Sequence, residues 1–151
     1  MDSSAGYSVA IVGATGAVGE ALLDILQERK FPVSKLYLLA SERSAGKRLQ
    51  FHGKSVQVQR LDEFDFSQVQ IGLFSAGGEL SAEYAPKAGA AGCVVIDNTS
   101  HFRYDADIPL VVPEVNPQCV ADFKPRNIIA NPNCSTIQML VALKPIQDAV
   151  G

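Results

Sequence analysis

Near the start of the chain an apolar run, Val9-Ala10-Ile11-Val12, passes without a break into Gly13-Ala14-Thr15-Gly16-Ala17-Val18-Gly19. The run reads as part of a buried strand over Tyr7 to Val12. Val18, Leu22, Ile25 and Leu26 then mark one face of a helix from Gly16 to about Gln27, with Glu20 and Asp24 on its polar side. A strand, a glycine turn and a helix in this order form the opening of a βαβ unit. Gly13 and Gly16 allow the tight turn and let backbone N–H groups approach an anion, and Gly19 lets the helix lie close to the strand. The helix N-terminus adds partial positive charge, so the turn suits a pyrophosphate. The spacing is GxxGxxG rather than GxGxxG. A glycine-rich turn with no ligand is the alternative. The place of the motif at the first strand–helix junction favours binding through Gly13, Thr15, Gly16, Ala17 and Val18.

The remaining pattern alternates in the same manner. Lys35 to Ala40 reads as a second strand, and Leu49 to Gln59, broken at His52-Gly53-Lys54, reads as a hairpin. Val69 to Phe74 is a further strand, followed by a helix over about Leu80 to Ala91 and a strand over Cys93 to Ile96. Leu110 to Val112 and Asn127 to Ala130 supply two more strands, and a helix runs from Cys134 to about Val150. Strands separated by helices predict a doubly wound α/β domain with a mostly parallel Rossmann-type sheet over 1–151. Gly151 stands where a helix C′ residue belongs, but the alternation calls for another strand next. The chain therefore reads as one domain of a longer enzyme.

In such a sheet the end of the second strand selects between NAD and NADP. Here it carries Ser41-Glu42-Arg43-Ser44-Ala45-Gly46-Lys47-Arg48. Glu42 could hold a ribose 2′-hydroxyl, as acidic residues do in NAD binders. Arg43 is a forked donor suited to a 2′-phosphate, with the hydroxyls of Ser41 and Ser44 beside it. A solvated basic loop is the third possibility. The distance from the glycine turn favours the 2′-phosphate clamp, and hence NADP.

Composition excludes several other classes. The formal charge is -3 and the basic residues are scattered, which speaks against nucleic acid or an anionic membrane as partner. No apolar run approaches the roughly 20 residues needed to span a bilayer. The segment Met1 to Gly6 has no basic region followed by an apolar one, so no signal peptide is read there. The three cysteines, Cys93, Cys119 and Cys134, show no CxxC spacing, which argues against a zinc site or a disulfide framework. A cytoplasmic protein without bound metal is expected.

The most informative stretch is Asn131-Pro132-Asn133-Cys134-Ser135-Thr136-Ile137-Gln138-Met139. Pro132 stops a regular strand, and the helical pattern begins at Cys134. A thiol in the first turn of a helix feels the aligned peptide dipoles, which favour its thiolate. Asn133 offers an amide donor to an oxyanion. Cys93 lies inside Gly92-Cys93-Val94-Val95-Ile96 and reads as a buried structural cysteine, while Cys119 looks incidental.

These residues resemble the active-site segment of the aspartate-semialdehyde dehydrogenases. The resemblance extends through Gly13-Ala14-Thr15-Gly16, Ser41 to Lys47, Phe74-Ser75-Ala76-Gly77-Gly78, Asp97-Asn98-Thr99-Ser100-His101-Phe102-Arg103 and Val112-Pro113-Glu114-Val115-Asn116. It implies reversible, NADP-dependent reduction of L-aspartyl 4-phosphate to L-aspartate 4-semialdehyde, with release of phosphate, in lysine, methionine and threonine biosynthesis. By position, Cys134 would be the nucleophile that carries an acyl-thioester. Asn133 would orient the substrate, Arg103 would bind its phosphate, and Ser75 and Gly77 would line the nicotinamide side of the cofactor groove.

The family also implies a homodimeric parent, and a second domain that supplies an acid/base histidine and a grip on the α-carboxylate. Neither His52 nor His101 lies where the family keeps its base, so this chain alone would bind cofactor without turning over. N-acetyl-glutamyl-phosphate reductases share the chemistry but carry a glycine before the cysteine, where this sequence has Asn133. A non-catalytic NADP-binding domain is the remaining alternative.

Overall fold

Alternation along β1 (Tyr7–Val12) sends successive side chains to opposite faces of a sheet, yet Val9, Ala10, Ile11 and Val12 are all buried. Both faces must therefore be covered. Val9 and Ile11 pack with Leu23 and Leu26 of α1 (Ala17–Glu28), with Leu38 of β2 (Val33–Ala40), and with Phe51 and Val58. Ala10 and Val12 pack on the opposite face with Leu39, Phe66, Phe74 and the α2 (Gly78–Ala90) residues Ala85 and Ala88. These two apolar layers, one on each side of a single sheet, are the physical content of double winding.

The sheet is completed by β3 (Arg48–Phe51), β4 (Lys54–Arg60), β5 (Ile71–Phe74), β6 (Val94–Asp97) and β7 (Ile128–Ala130), and the chain continues into α3 (Cys134–Val150). Strand order is β3-β4-β2-β1-β5-β6-β7, and every pairing is parallel except the β3–β4 hairpin. The structure is a computed structural model that describes residues 6–151. Of the segment Met1 to Gly6, in which no signal peptide is read, residues 1–5 lie outside the described residues. No helix among the described residues is long and apolar enough to cross a membrane.

The hairpin turns at His52 and Gly53, with φ of 48° and 73°. Positive φ at both positions matches the twist of the flanking strands. Leu110 to Val112, expected as a strand, is not one. It makes a single bridge, Leu110 to Ala130, with hydrogen bonds from Val111 N to Ala130 O and from Ala130 N to Pro109 O. Pro109 and Pro113 bracket the segment and withhold the donors a longer ladder needs. Helix α3 is thinly covered. None of its residues is buried, and Met139, Leu143 and Ile146 stand half exposed.

Register places the functional loops. Leu39, Val12, Phe74, Asp97 and Ala130 lie side by side across five strands. Arg60 pairs with Ala40 one step further along. The loops after β2, β1, β5, β6 and β7 all leave the sheet from that row, on its C-terminal edge. Between β1 and β5 the winding reverses direction, which opens the crevice in which such sheets bind ligands.

Candidate functional site

The glycine turn fills the centre of this edge. Gly13 has φ of 88°, and a Cβ there would come within 3.0 Å of the Ser75 backbone, so the loops after β1 and β5 nearly touch. A Cβ on Gly19 would meet Gly13 O at 2.3 Å and Ala14 Cα at 2.7 Å, so α1 sits directly on the turn. The N-cap of α1 is Gly16, which offers no side-chain bond to the first N–H groups. Gly16, Ala17 and Val18 are exposed. The orphan donors of the helix start therefore face open space, where a pyrophosphate oxygen would satisfy them.

Beside it, Ser41 and Arg43 are exposed at the end of β2, with Arg43 on a one-turn 3-10 helix, Glu42–Ser44. Ser44 is buried, at 7% exposure, and is a weaker candidate for a ligand contact than Ser41. Arg48 is committed elsewhere: its Nε donates to Ser55 Oγ at 2.7 Å and its Nη2 to Ser55 O at 2.9 Å, which ties it to the hairpin. Glu42 is engaged from β4, where Arg60 Nη1 lies 3.1 Å from its Oε1.

After β5, Ser75 donates its hydroxyl to Val12 O at 3.2 Å, which holds the two loops together. Gly77, with φ of 97°, turns the chain into α2, and nothing lies within 4 Å of where its Cβ would be. The backbone at Gly77 is therefore open on the side where a Cβ would stand.

Asp97 ends β6 fully buried, a position the sequence reading did not single out. Its carboxylate accepts from Ser81 Oγ at 2.8 Å, Thr99 Oγ1 at 2.7 Å and Thr99 N at 3.2 Å. A buried carboxylate is tolerable only with such partners. The result pins the start of α2 to the loop that carries Arg103. That arginine donates from Nε to Asn131 O at 3.1 Å and from Nη2 to Asn98 O at 3.3 Å, and Asn131 Nδ2 donates to Asn98 Oδ1 at 2.7 Å. Arg103 is thereby joined to the segment that leads into α3.

In that segment Asn133 is the N-cap of α3, and its Oδ1 accepts from Ser135 N at 2.9 Å. Occupation of Oδ1 leaves the amide nitrogen as the donor of this side chain. Cys134 is the first helical residue and is exposed, with its Sγ 4.0 Å from Asn133 Oδ1. Cys93, in contrast, is wholly buried, and burial pushes its thiol from an ordinary 9.0 up to about 12. Cys119 is intermediate in exposure, on a 3-10 turn away from the row. His52 is in the hairpin turn, away from this arrangement; His101 donates its backbone N–H to Thr99 Oγ1 at 3.3 Å, and its ring rests against Phe102.

Comparison with known proteins gives a consistent result. The family described as semialdehyde dehydrogenase, NAD-binding domain, matches residues 8–123. Aspartate-semialdehyde dehydrogenase 2 of Vibrio cholerae is 74% identical over 145 residues, which are 96% of this chain and 43% of that protein. The crystal structure of Vibrio cholerae aspartate semialdehyde dehydrogenase II complexed with ASA superposes with a TM-score of 0.94 at 73% identity, over 97% of this chain and 48% of that one. The Candida albicans aspartate semialdehyde dehydrogenase solved with NADP gives 0.77 at 27% identity, over 97% and 48%. The chain spans less than half the length of these relatives.

Proposed function

The chain belongs to the semialdehyde dehydrogenases, through their NAD-binding domain, and from that premise we propose that it is the cofactor-binding, nucleophile-bearing part of an NADP-dependent aspartate-semialdehyde dehydrogenase. The observation that carries this reading is the Asn131–Cys134 segment: an exposed thiol at the first position of a capped helix, bonded through Asn131 to Arg103.

The residues present fit the cofactor. The uncapped start of α1, with Gly16, Ala17 and Val18 exposed, would take the pyrophosphate. Ser41 and Arg43 would take the 2′-phosphate, and the open space at Gly77 the nicotinamide. When bound, NADPH supplies a hydride. This chain would supply the nucleophile, the oxyanion donor and the phosphate contact.

Cys134, as thiolate, attacks the acyl carbon of aspartyl 4-phosphate. A carbon–sulfur bond forms, the carbon–oxygen bond to phosphorus breaks, and phosphate leaves with the bonding pair. The thioester so formed accepts hydride where a carboxylate would not. Return of Cys134 as a thiolate then releases aspartate 4-semialdehyde. Asn133 donates its amide N–H to the oxyanion of each tetrahedral stage. Arg103, steadied by two carbonyl oxygens, directs its remaining N–H groups to the leaving phosphate.

The greater length of the relatives is where a second domain, the acid/base histidine and the α-carboxylate grip belong, and the parent enzyme acts as a cytoplasmic homodimer in lysine, methionine and threonine synthesis. The test is Cys134→Ser in the full-length enzyme, which abolishes turnover while NADP still binds. Substantial dehydrogenase activity in that variant refutes the thioester mechanism.

A further inference from the structure

We infer that Arg60 sets the cofactor preference of the second-strand turn by neutralising Glu42. The inference rests on the NADP reading above and adds a residue to it.

Glu42 lies two residues beyond the end of β2, in the turn where a carboxylate holds the ribose 2′-hydroxyl in NAD binders. Left free, it would favour NAD and repel the 2′-phosphate that Arg43 is placed to receive. The sheet brings a counter-charge to it. Arg60 ends β4 in register with Ala40, and Leu61 N donates to Ala40 O at 2.9 Å, so the ends of the two strands are locked together.

The guanidinium is held in place before it meets Glu42. Asp62 takes two of its nitrogens, Nη2 at 2.6 Å and Nε at 3.1 Å, and Glu63 lies 3.2 Å from Nε. The paired contact with Arg60 holds the Asp62 carboxyl below the usual carboxylate range. What remains is Nη1, and Glu42 accepts from it at 3.1 Å. The Arg60 side chain is 33% exposed and that of Glu42 78%, so an exposed carboxylate is drawn to an anchored cation. Its carboxylate is then directed to β4 and away from the ribose.

Arg60 acts here as a positioning residue, through Glu42. Dissociation constants for NADP and NAD, measured by calorimetry on the full-length enzyme, test this in four forms: wild type, Arg60→Ala, Glu42→Gln and the double variant. Exposed charge pairs couple weakly, so Arg60→Ala is expected to cut the NADP-over-NAD ratio by about fivefold. Glu42→Gln keeps the wild-type ratio, and the double variant returns to within about twofold of it, because no carboxylate is left to release. A structural defect would weaken both nucleotides alike and would not be rescued by Glu42→Gln. Arg60→Met, which keeps an unbranched side chain but offers no donor to Glu42, gives the same reading if the alanine variant does not fold. A loss of NADP affinity that persists in the double variant overturns the inference, since Arg60 then acts on the phosphate directly or on the fold. An unchanged ratio in Arg60→Ala overturns it as well. Wild-type protein that binds both nucleotides equally refutes the NADP reading instead.

Discussion

Replacement of Gly19 by alanine tests how tightly α1 is seated on the phosphate turn. Two effects oppose each other. Alanine is better than glycine in a helix by about 1 kcal/mol. Against that, the added Cβ would lie 2.3 Å from Gly13 O, 2.7 Å from Ala14 Cα and 2.8 Å from Ala14 C. An ordinary contact to the oxygen begins near 3.4 Å, so the gap is short by about 1.1 Å. All three atoms are backbone, and no side chain can swing aside. The helix must rise off the turn against the packing of its own Leu23 and Leu26 on the sheet.

Overpacking costs about 1–3 kcal/mol, and a clash with three backbone atoms belongs at about 2–3 kcal/mol of that range, so it outweighs the helix gain by about 1–2 kcal/mol. For a chain of this size the melting temperature falls by about 2–8 °C. Gly78→Ala is the matched control: it also lies in a helix, but its Cβ would meet only His101 Cβ, at 3.9 Å. It should leave the melting temperature unchanged or raise it slightly. Thermal unfolding by circular dichroism compares the two. A Gly19→Ala protein as stable as wild type refutes the close seating of α1.

Arg43→Ala should erase most of the preference for NADP over NAD while NAD affinity stays nearly constant, because a charge-assisted contact is worth about 1.5–3 kcal/mol; equal titration curves before and after the change refute the clamp. Arg103→Leu, in the full-length enzyme, should raise the phosphate concentration needed for semialdehyde oxidation without altering NADP binding; an unmoved phosphate requirement removes Arg103 from the site. Cys93 makes a pH prediction. Its thiol is raised in the folded state from 9.0 to about 12, so the unfolded chain loses that proton first. The stabilisation is fully present below pH 9 and is lost as pH rises toward 12, by up to about 1.4 kcal/mol per pH unit. Cys93→Ala should flatten that part of the denaturant-midpoint profile, and an unchanged slope refutes the assignment.

What could be read from the sequence was local in origin. The glycine turn, the hairpin at His52-Gly53 and the helix opening at Cys134 each depend on residues within a few positions of one another. The start of β2 at Val33 rather than Lys35 is the ordinary uncertainty of a strand end. The failed strand at Leu110 to Val112 shows apolar content without enough free donors between two prolines. Three features of the site were not legible because they join distant segments. Glu42 meets Arg60 only through the β2–β4 register, Asp97 meets Ser81 only once α2 packs on β6, and Arg103 finds Asn131 only when β7 lies beside β6. The burial of Ser44 is of the same kind, since a hydroxyl in a polar loop gives no sign of which way it faces.

The row through Leu39, Val12, Phe74, Asp97 and Ala130 works as a ruler. Its graduations are the interstrand spacing of about 4.8 Å, so the thiol-bearing loop after β7 and the glycine turn after β1 start about 14 Å apart. That interval is fixed by backbone hydrogen bonds and owes nothing to the side chains that do the chemistry. Removal of one residue from a strand would draw its loop back by about 3.3 Å and turn its first side chain over. A residue gained or lost in the connections on the far edge of the sheet would leave the interval untouched. Tolerance to insertion and deletion should therefore divide sharply along this chain, with none in the last residues of the five strands and some at Arg29-Lys30 or Ala91-Gly92.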